Sequence, residues 1–125
     1  GKDITIVANL LMSYRAQEAA KVLEEEGISC EVIDPRSLAP FDYETVEKSV
    51  KKTGKLMIIH EDTYTGGWGM QIASHFAEKC IYDLDAPVKI VAAYDTPIPF
   101  ASTMEDYVIP SINRIIENVR ELAKF

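Results

Sequence analysis

Four short runs of β-branched and aliphatic residues, Ile4–Ala8, Cys30–Ile33, Leu56–Ile59 and Val88–Ala92, are separated by stretches of helical periodicity. This alternation constrains the fold more than any other feature. Parallel strands need long crossover connections, and helices supply them. The pattern therefore predicts an α/β fold: a mostly parallel sheet, right-handed crossovers and helices on both faces. Leu56–Ile59 is apolar at every position, as befits a strand buried on both sides. The commonest orders for such sheets place the first strand inside, which predicts the order 2-1-3-4.

The intervening patterns carry their own start and stop signals. Ser13 is placed to cap a helix whose inner face is Ala16, Ala19, Ala20 and Leu23, with Gly27 as its stop. Asp42 is placed to cap a second, with Tyr43, Val46 and Val50 in register and Gly54 at its end. A third starts near Gly67–Trp68 and carries Ile72 and Phe76. In the last, Pro110 suits the first turn, and Ile112, Ile116, Val119 and Ala123 share a face.

A chain of 125 residues suits one domain, residues 1–125, with a sizeable core. Hydrophobic residues make up 47%, which argues against disorder. The formal net charge of −7 argues against a nucleic-acid partner, whose phosphates are bound by Lys and Arg. No apolar run reaches the roughly 18 residues that a membrane-spanning helix needs. Cys30 and Cys80 lie far apart and are read as reduced, buried thiols of a cytosolic protein. A first residue of Gly rather than Met points to processing or to a fragment of a longer chain.

The segment His60–Gly69, HEDTYTGGWG, leaves the third strand and opens the third helix, where open α/β sheets bind ligands. Backbone N–H groups at such a turn can hold an anion. Gly66, Gly67 and Gly69 match neither GxGxxG nor GxxxxGK[ST], so a tight turn with close helix packing is favoured. His60 and Glu61, adjacent on an extended strand, point to opposite faces and are read as structural or interface residues, not an acid–base pair. His75 is read as a half-buried boundary residue, with no metal site assigned. Arg36, in DPRSLAPFD, could bind an anion, but pairing with Asp34 or a neighbouring carbonyl is preferred. The proline-stiffened YDTPIPF, with Ile98 and Phe100, reads as a packed or partner-facing loop.

The runs EVIDPRSLAPFD, SVKKTGKLMIIHE, TGGWGMQIA, LDAPVKIV and DTPIPF occur in this order along essentially the whole chain. Together they resemble the C-terminal domain of the beta subunit of branched-chain 2-oxo acid, pyruvate and acetoin dehydrogenases, within the wider transketolase C-terminal group. Trp68 and Met104 depart modestly from the residues common there, Phe and Leu. HEDTYTGG leans toward the branched-chain or acetoin type.

The resemblance implies a three-layer α/β/α sandwich, with an extra antiparallel first strand missing or short in this chain. It implies a parent enzyme that uses thiamine diphosphate and Mg²⁺ to decarboxylate a 2-oxo acid and pass the acyl group to lipoamide. That family holds the cofactor between the alpha subunit and the N-terminal domain of beta. No GDG…N cofactor motif is present here, so no catalytic, cofactor or metal residue is assigned, and the 125 residues alone are expected to be inactive. The implied partners are the alpha subunit, a second beta subunit and the basic subunit-binding domain of the lipoyl acyltransferase core. Asp85 and Phe125 match the positions associated with that last docking. The implied compartment is the cytoplasm, or the mitochondrial matrix in a eukaryote. Alternative readings are another transketolase-type enzyme, such as a deoxyxylulose phosphate synthase, and a free-standing anion- or nucleotide-binding module.

Overall fold

A computed structural model describes residues 1–38, 40–94 and 109–125. Ile98, Phe100 and Met104, singled out in the sequence, lie outside the described residues. Four parallel strands, β1 (Ile4–Ala8), β2 (Cys30–Ile33), β3 (Leu56–Thr63) and β4 (Lys89–Ala93), form one sheet in the expected order β2-β1-β3-β4. The helices are α1 (Leu10–Glu25), α2 (Tyr43–Thr53), α3 (Trp68–Lys79) and α4 (Ile112–Ala123), with a 3₁₀ turn at Ile81–Asp83. The one antiparallel pairing among the described residues is an isolated bridge, Leu38 with Phe41.

The period-2 alternation of the central strands divides the core between two faces. On one face Ile4, Ile6, Met57 and Ile59 pack against α1 and α4. On the other, Val7, Leu56 and Ile58 pack against α2 and α3. Leu56 through His60 are fully buried, so β3 has helices on both sides, as its apolar run predicts. Small residues Ala16 and Ala19 on α1 face this layer and leave room for Ile115, Val119 and Leu122 of α4. A bidentate pair, Arg120 to Glu26 at 2.9 and 2.7 Å, ties α4 to the end of α1.

Several boundaries differ from the sequence-based expectation. Helix α1 starts at Leu10, so Ser13 lies buried inside it rather than capping it. The reason is Leu10 itself, which holds a left-handed φ of 52° and turns the chain straight from β1 into the helix. Ala20 is only half-buried, and Met12 takes its place on the inner stripe. Pro110 lies just before the cap of α4, and Ser111 Oγ accepts from Arg114 N at 3.1 Å. Ile115 and Leu122 are buried there, whereas Ile112 and Ala123 are only partly so. β3 runs four residues beyond Ile59 to Thr63, and β4 is shifted by one residue. Asp42 does cap α2, accepting from Thr45 N at 3.1 Å, and Gly54 ends it at φ 77°.

A buried polar bridge joins β1 to α2. Thr5 Oγ1 lies 2.6 Å from Ser49 Oγ and 2.8 Å from Thr53 Oγ1. Burying hydroxyls costs free energy unless they are paired, so the three must stay together. Thr5→Val keeps the shape and takes a hydroxyl partner from both Ser49 and Thr53, although Thr53 Oγ1 still donates to Lys55 O at 3.1 Å. We expect it to lower stability by about 1–3 kcal/mol, read as a reduced urea midpoint at unchanged m-value.

Candidate functional site

In a parallel sheet all strand starts lie at one edge and all strand ends at the other. At the C-terminal edge, β3 and β4 lose register between Ile59 and Thr63. This irregularity curls the strand, so that His60 Nδ1 meets the carbonyl of Asp62, two residues on, at 2.9 Å. His60 is fully buried, and Glu61 is exposed on the other side, as the extended geometry predicts.

The three glycines of the following turn have two different tasks. Gly66 supplies a left-handed φ of 78° in open space. Gly67 and Gly69 supply room. A Cβ on Gly67 would fall 2.5 Å from both His60 Cε1 and Thr63 O, and one on Gly69 2.7 Å from His60 Nε2. Trp68 closes over the imidazole at 5.1 Å between ring centroids. Gly67 and Gly69 thus let the turn and the start of α3 pack directly against His60. Burial holds its pKa below the ordinary value of 6.5, against the smaller opposing pull of Asp62. The neutral ring donates Nδ1–H to Asp62 O, and Nε2 has no hydrogen-bond partner among the described residues.

Beside this turn, Asn9, Leu10, Asp34, Pro35 and Arg36 line an open cleft. Arg36 is exposed, and among the described residues it pairs with neither Asp34 nor a carbonyl. The structural pairing preferred from sequence is thus not found among the described residues.

At the N-terminal edge, Asp85 and Phe125 converge on two consecutive residues. Asp85 N donates to Gly54 O at 2.7 Å, and the Asp85 carboxylate lies where a Gly54 side chain would be. Lys55 Nζ donates to Phe125 O at 2.8 Å and to Ala123 O at 3.1 Å. The Asp85 and Phe125 side chains are both exposed. Sequence reasoning missed Gly54 and Lys55 as the anchor, although the Gly-Lys pair that follows an amphipathic helix and opens an apolar strand was a visible signal.

His75 is half-buried on α3, as expected. No metal site is assigned to it from sequence; in the structure Glu47 reaches it from α2 at 2.7 Å, and buried Cys80 lies beside both. Cys80 is buried as read, whereas Cys30 is only half-buried; both are free thiols. Burial pushes the Cys30 thiol up to about 11. It also raises that of Cys80, with help from Glu47 and Asp83.

The glycine turn yields a test before any relative is considered. Gly67→Val should cost roughly 1–3 kcal/mol through overlap with His60 and the backbone, and phosphate should leave the wild-type melting temperature unchanged. The unfolded chain takes up a proton on its histidine before the folded chain does. Stability from neutral His60 is thus present above about pH 6.5 and is lost as pH falls toward the lowered folded value. His60→Phe should flatten that part of the pH–stability curve.

Comparison with known proteins fits this architecture. The family model described as transketolase, C-terminal domain, matches residues 1–115. The chain is 42% identical over its whole length to 2-oxoisovalerate dehydrogenase subunit beta 2, mitochondrial, of Arabidopsis thaliana, covering 34% of that protein. It is 40% identical over its whole length to the corresponding beta subunit of Bacillus subtilis, covering 38% of it. It is 39% identical over 99% of its length to the beta subunit of an acetoin oxidoreductase of Cupriavidus necator, covering 37% of it. The chain thus spans little more than a third of these relatives. A solved split-gene transketolase, described as an inactive β4 tetramer, superposes with a TM-score of 0.84 at 33% identity, over 99% of this chain and 39% of that one. These relatives do not favour the phosphate-synthase or free-standing-module readings. The sheet order, the two helical layers and the match over residues 1–115 agree: the chain belongs to the transketolase C-terminal domain family.

Proposed function

We propose that this chain is the C-terminal assembly domain of the beta subunit of a thiamine-diphosphate-dependent 2-oxo acid dehydrogenase. In this reading residues 1–125 form one domain of a longer subunit, and the edge bearing Asp85 and Phe125 docks the basic subunit-binding domain of the lipoyl acyltransferase. One observation carries the docking assignment. Two residues 40 positions apart in sequence are fixed to the consecutive residues Gly54 and Lys55, with both side chains exposed. The net charge of −7 suits a basic partner.

The described residues do not fit thiamine diphosphate. No GDG…N cofactor motif is present, and Arg36 is the one cation among the residues lining the cleft at the ends of β1 and β2. Cofactor and Mg²⁺ then fall to the alpha subunit and the N-terminal part of beta, and no catalytic step is assigned to this chain. At the C-terminal edge Leu10, Leu11 and Tyr14 are exposed, an apolar surface suited to contact with the alpha or second beta subunit. No helix among the described residues is long and apolar enough to cross a membrane. The compartment proposed is the cytoplasm, or the mitochondrial matrix in a eukaryote.

The test is calorimetric titration of the subunit-binding domain into the assembled alpha–beta enzyme. Asp85→Asn, and an extension beyond Phe125, should each weaken binding by about 2 kcal/mol or more if the charges become desolvated on docking. The loss should shrink at higher salt where the pairing stays at the solvent-exposed rim. Wild-type affinity in both variants at every salt concentration would place docking elsewhere.

A further inference from the structure

The cluster of Glu47, His75 and Cys80 has no part in the docking edge or the glycine turn. Glu47 comes from α2, His75 from α3, and Cys80 is the residue that ends α3. One ligand-type atom of each lies within 4.8 Å of the other two. Tetrahedral coordination with bonds of about 2.0–2.3 Å sets donor atoms roughly 3.3–3.8 Å apart. Small side-chain adjustments therefore bring all three donors onto one ion.

The donors are already oriented. The His75 ring stacks on Tyr43 at 3.8 Å and meets the edge of Phe76 at 5.3 Å. This holds Nε2 toward Glu47 Oε1 at 2.7 Å. Cys80 N donates to Phe76 O, and Asp83 N to Cys80 O, each at 3.0 Å, so the cysteine backbone is fixed on both sides. The chemistry of the set is selective. A thiolate with an imidazole and a carboxylate suits a borderline-soft divalent ion and disfavours Mg²⁺ or Ca²⁺. Thiolate and carboxylate together neutralise a 2+ charge, which matters where Cys80 is 8% exposed. The Glu47 and His75 side chains remain 31% and 17% exposed, so water can reach a fourth coordination position.

We propose that Glu47, His75 and Cys80 form a Zn²⁺-type site that clamps α2 to α3, with solvent as the fourth ligand. Binding replaces the Glu47–His75 hydrogen bond with two metal bonds: His75 gives up its Nε2 proton to solvent and takes one at Nδ1, so that the neutral ring ligates through Nε2, and the Cys80 thiol proton is released to solvent. The clamp joins the two helices of one sheet face to each other through an ion, beyond the apolar packing and the Thr5–Ser49–Thr53 hydroxyl bridge that hold them to the sheet.

The test uses the full chain, reduced and freed of metal, titrated with Co²⁺ and then Zn²⁺. One equivalent of Co²⁺ should give a thiolate-to-metal charge-transfer band in the near ultraviolet and visible bands of tetrahedral intensity, and Zn²⁺ should displace it. The band should persist in Cys30→Ser, vanish in Cys80→Ser, and need at least tenfold more Co²⁺ in His75→Gln or Glu47→Gln. Zn²⁺ should raise the melting temperature of wild type and of Cys30→Ser, but not of Cys80→Ser. Circular dichroism of each variant checks folding, and the wild-type titration needs no variant at all. Absence of the band in folded wild type, or a band that follows Cys30 instead of Cys80, would overturn the site.

Discussion

The left-handed turn at Gly54 is the constraint on which the N-terminal edge of the sheet depends. Its φ of 77° ends α2 and sends the chain into the buried strand β3. An L side chain there would pay for that conformation and would also collide with the Asp85 carboxylate, which lies 2.1 Å from the Cβ position. With the glycine in place, Gly54 O accepts from Asp85 N, Lys55 O accepts from Thr5 N at 2.9 Å, and Lys55 Nζ reaches the end of α4. One two-residue turn thus connects the approach to β4, the start of β1 and the last helix. Thr53, one residue earlier, adds the buried hydroxyl pairing to Thr5. Residues that sequence separates widely are gathered here by backbone geometry together with two short-range side-chain contacts, the Lys55 ammonium and the Thr53 hydroxyl.

At the opposite edge, strain and buried polarity replace regularity. Leu10 holds a left-handed φ that costs a non-glycine residue about 1–3 kcal/mol. His60 is buried, and among the described residues its Nε2 has no partner. Both lie where strands end and helices begin, the edge that open α/β sheets use for contact. The loss of register in β3 turns His60 under the glycine turn, and Gly67 and Gly69 let α3 close over it. The glycines serve the imidazole, and the helix start serves packing.

The fold was legible because its signals are local and repeated. The apolar runs of β1 and β3, the Asp42 cap and the Gly54 stop each specify an element without reference to the rest. The errors fall where tertiary structure overrides a local signal. Ser13 is a good capping residue, but the turn at Leu10 starts the helix first and carries Ser13 inside. The strand ending expected at Ile59 gave way to an irregular extension that rejoins β4 at Thr63, paired with Ala93. The candidate sites were less legible for the same reason. Asp85 and Phe125 could be named from resemblance, but their common anchor needs the crossover of α2 and the packing of α4. Glu47 could not be linked to His75 by spacing, because the two sit on different helices that meet only when both pack on β3.

The parallel sheet also sets how the two edges can communicate. All strands start at the Gly54–Lys55 edge and end at the Leu10–Gly67 edge, and a five-residue strand spans about 16 Å. Exposed charges that far apart are largely screened at physiological ionic strength, where the Debye length is about 8 Å. Between the edges lies a close-packed apolar core, fully buried from Leu56 to Ile59, with no mobile polar chain along β3 to relay a signal. Under the proposed reading, a partner docked at Asp85 and Phe125 would act through tethering and proximity. It would have little leverage on the geometry of subunit contacts at the other edge. An assembly domain built this way can hold a mobile acyltransferase near a catalytic centre while leaving the arrangement of that centre to the subunits that form it.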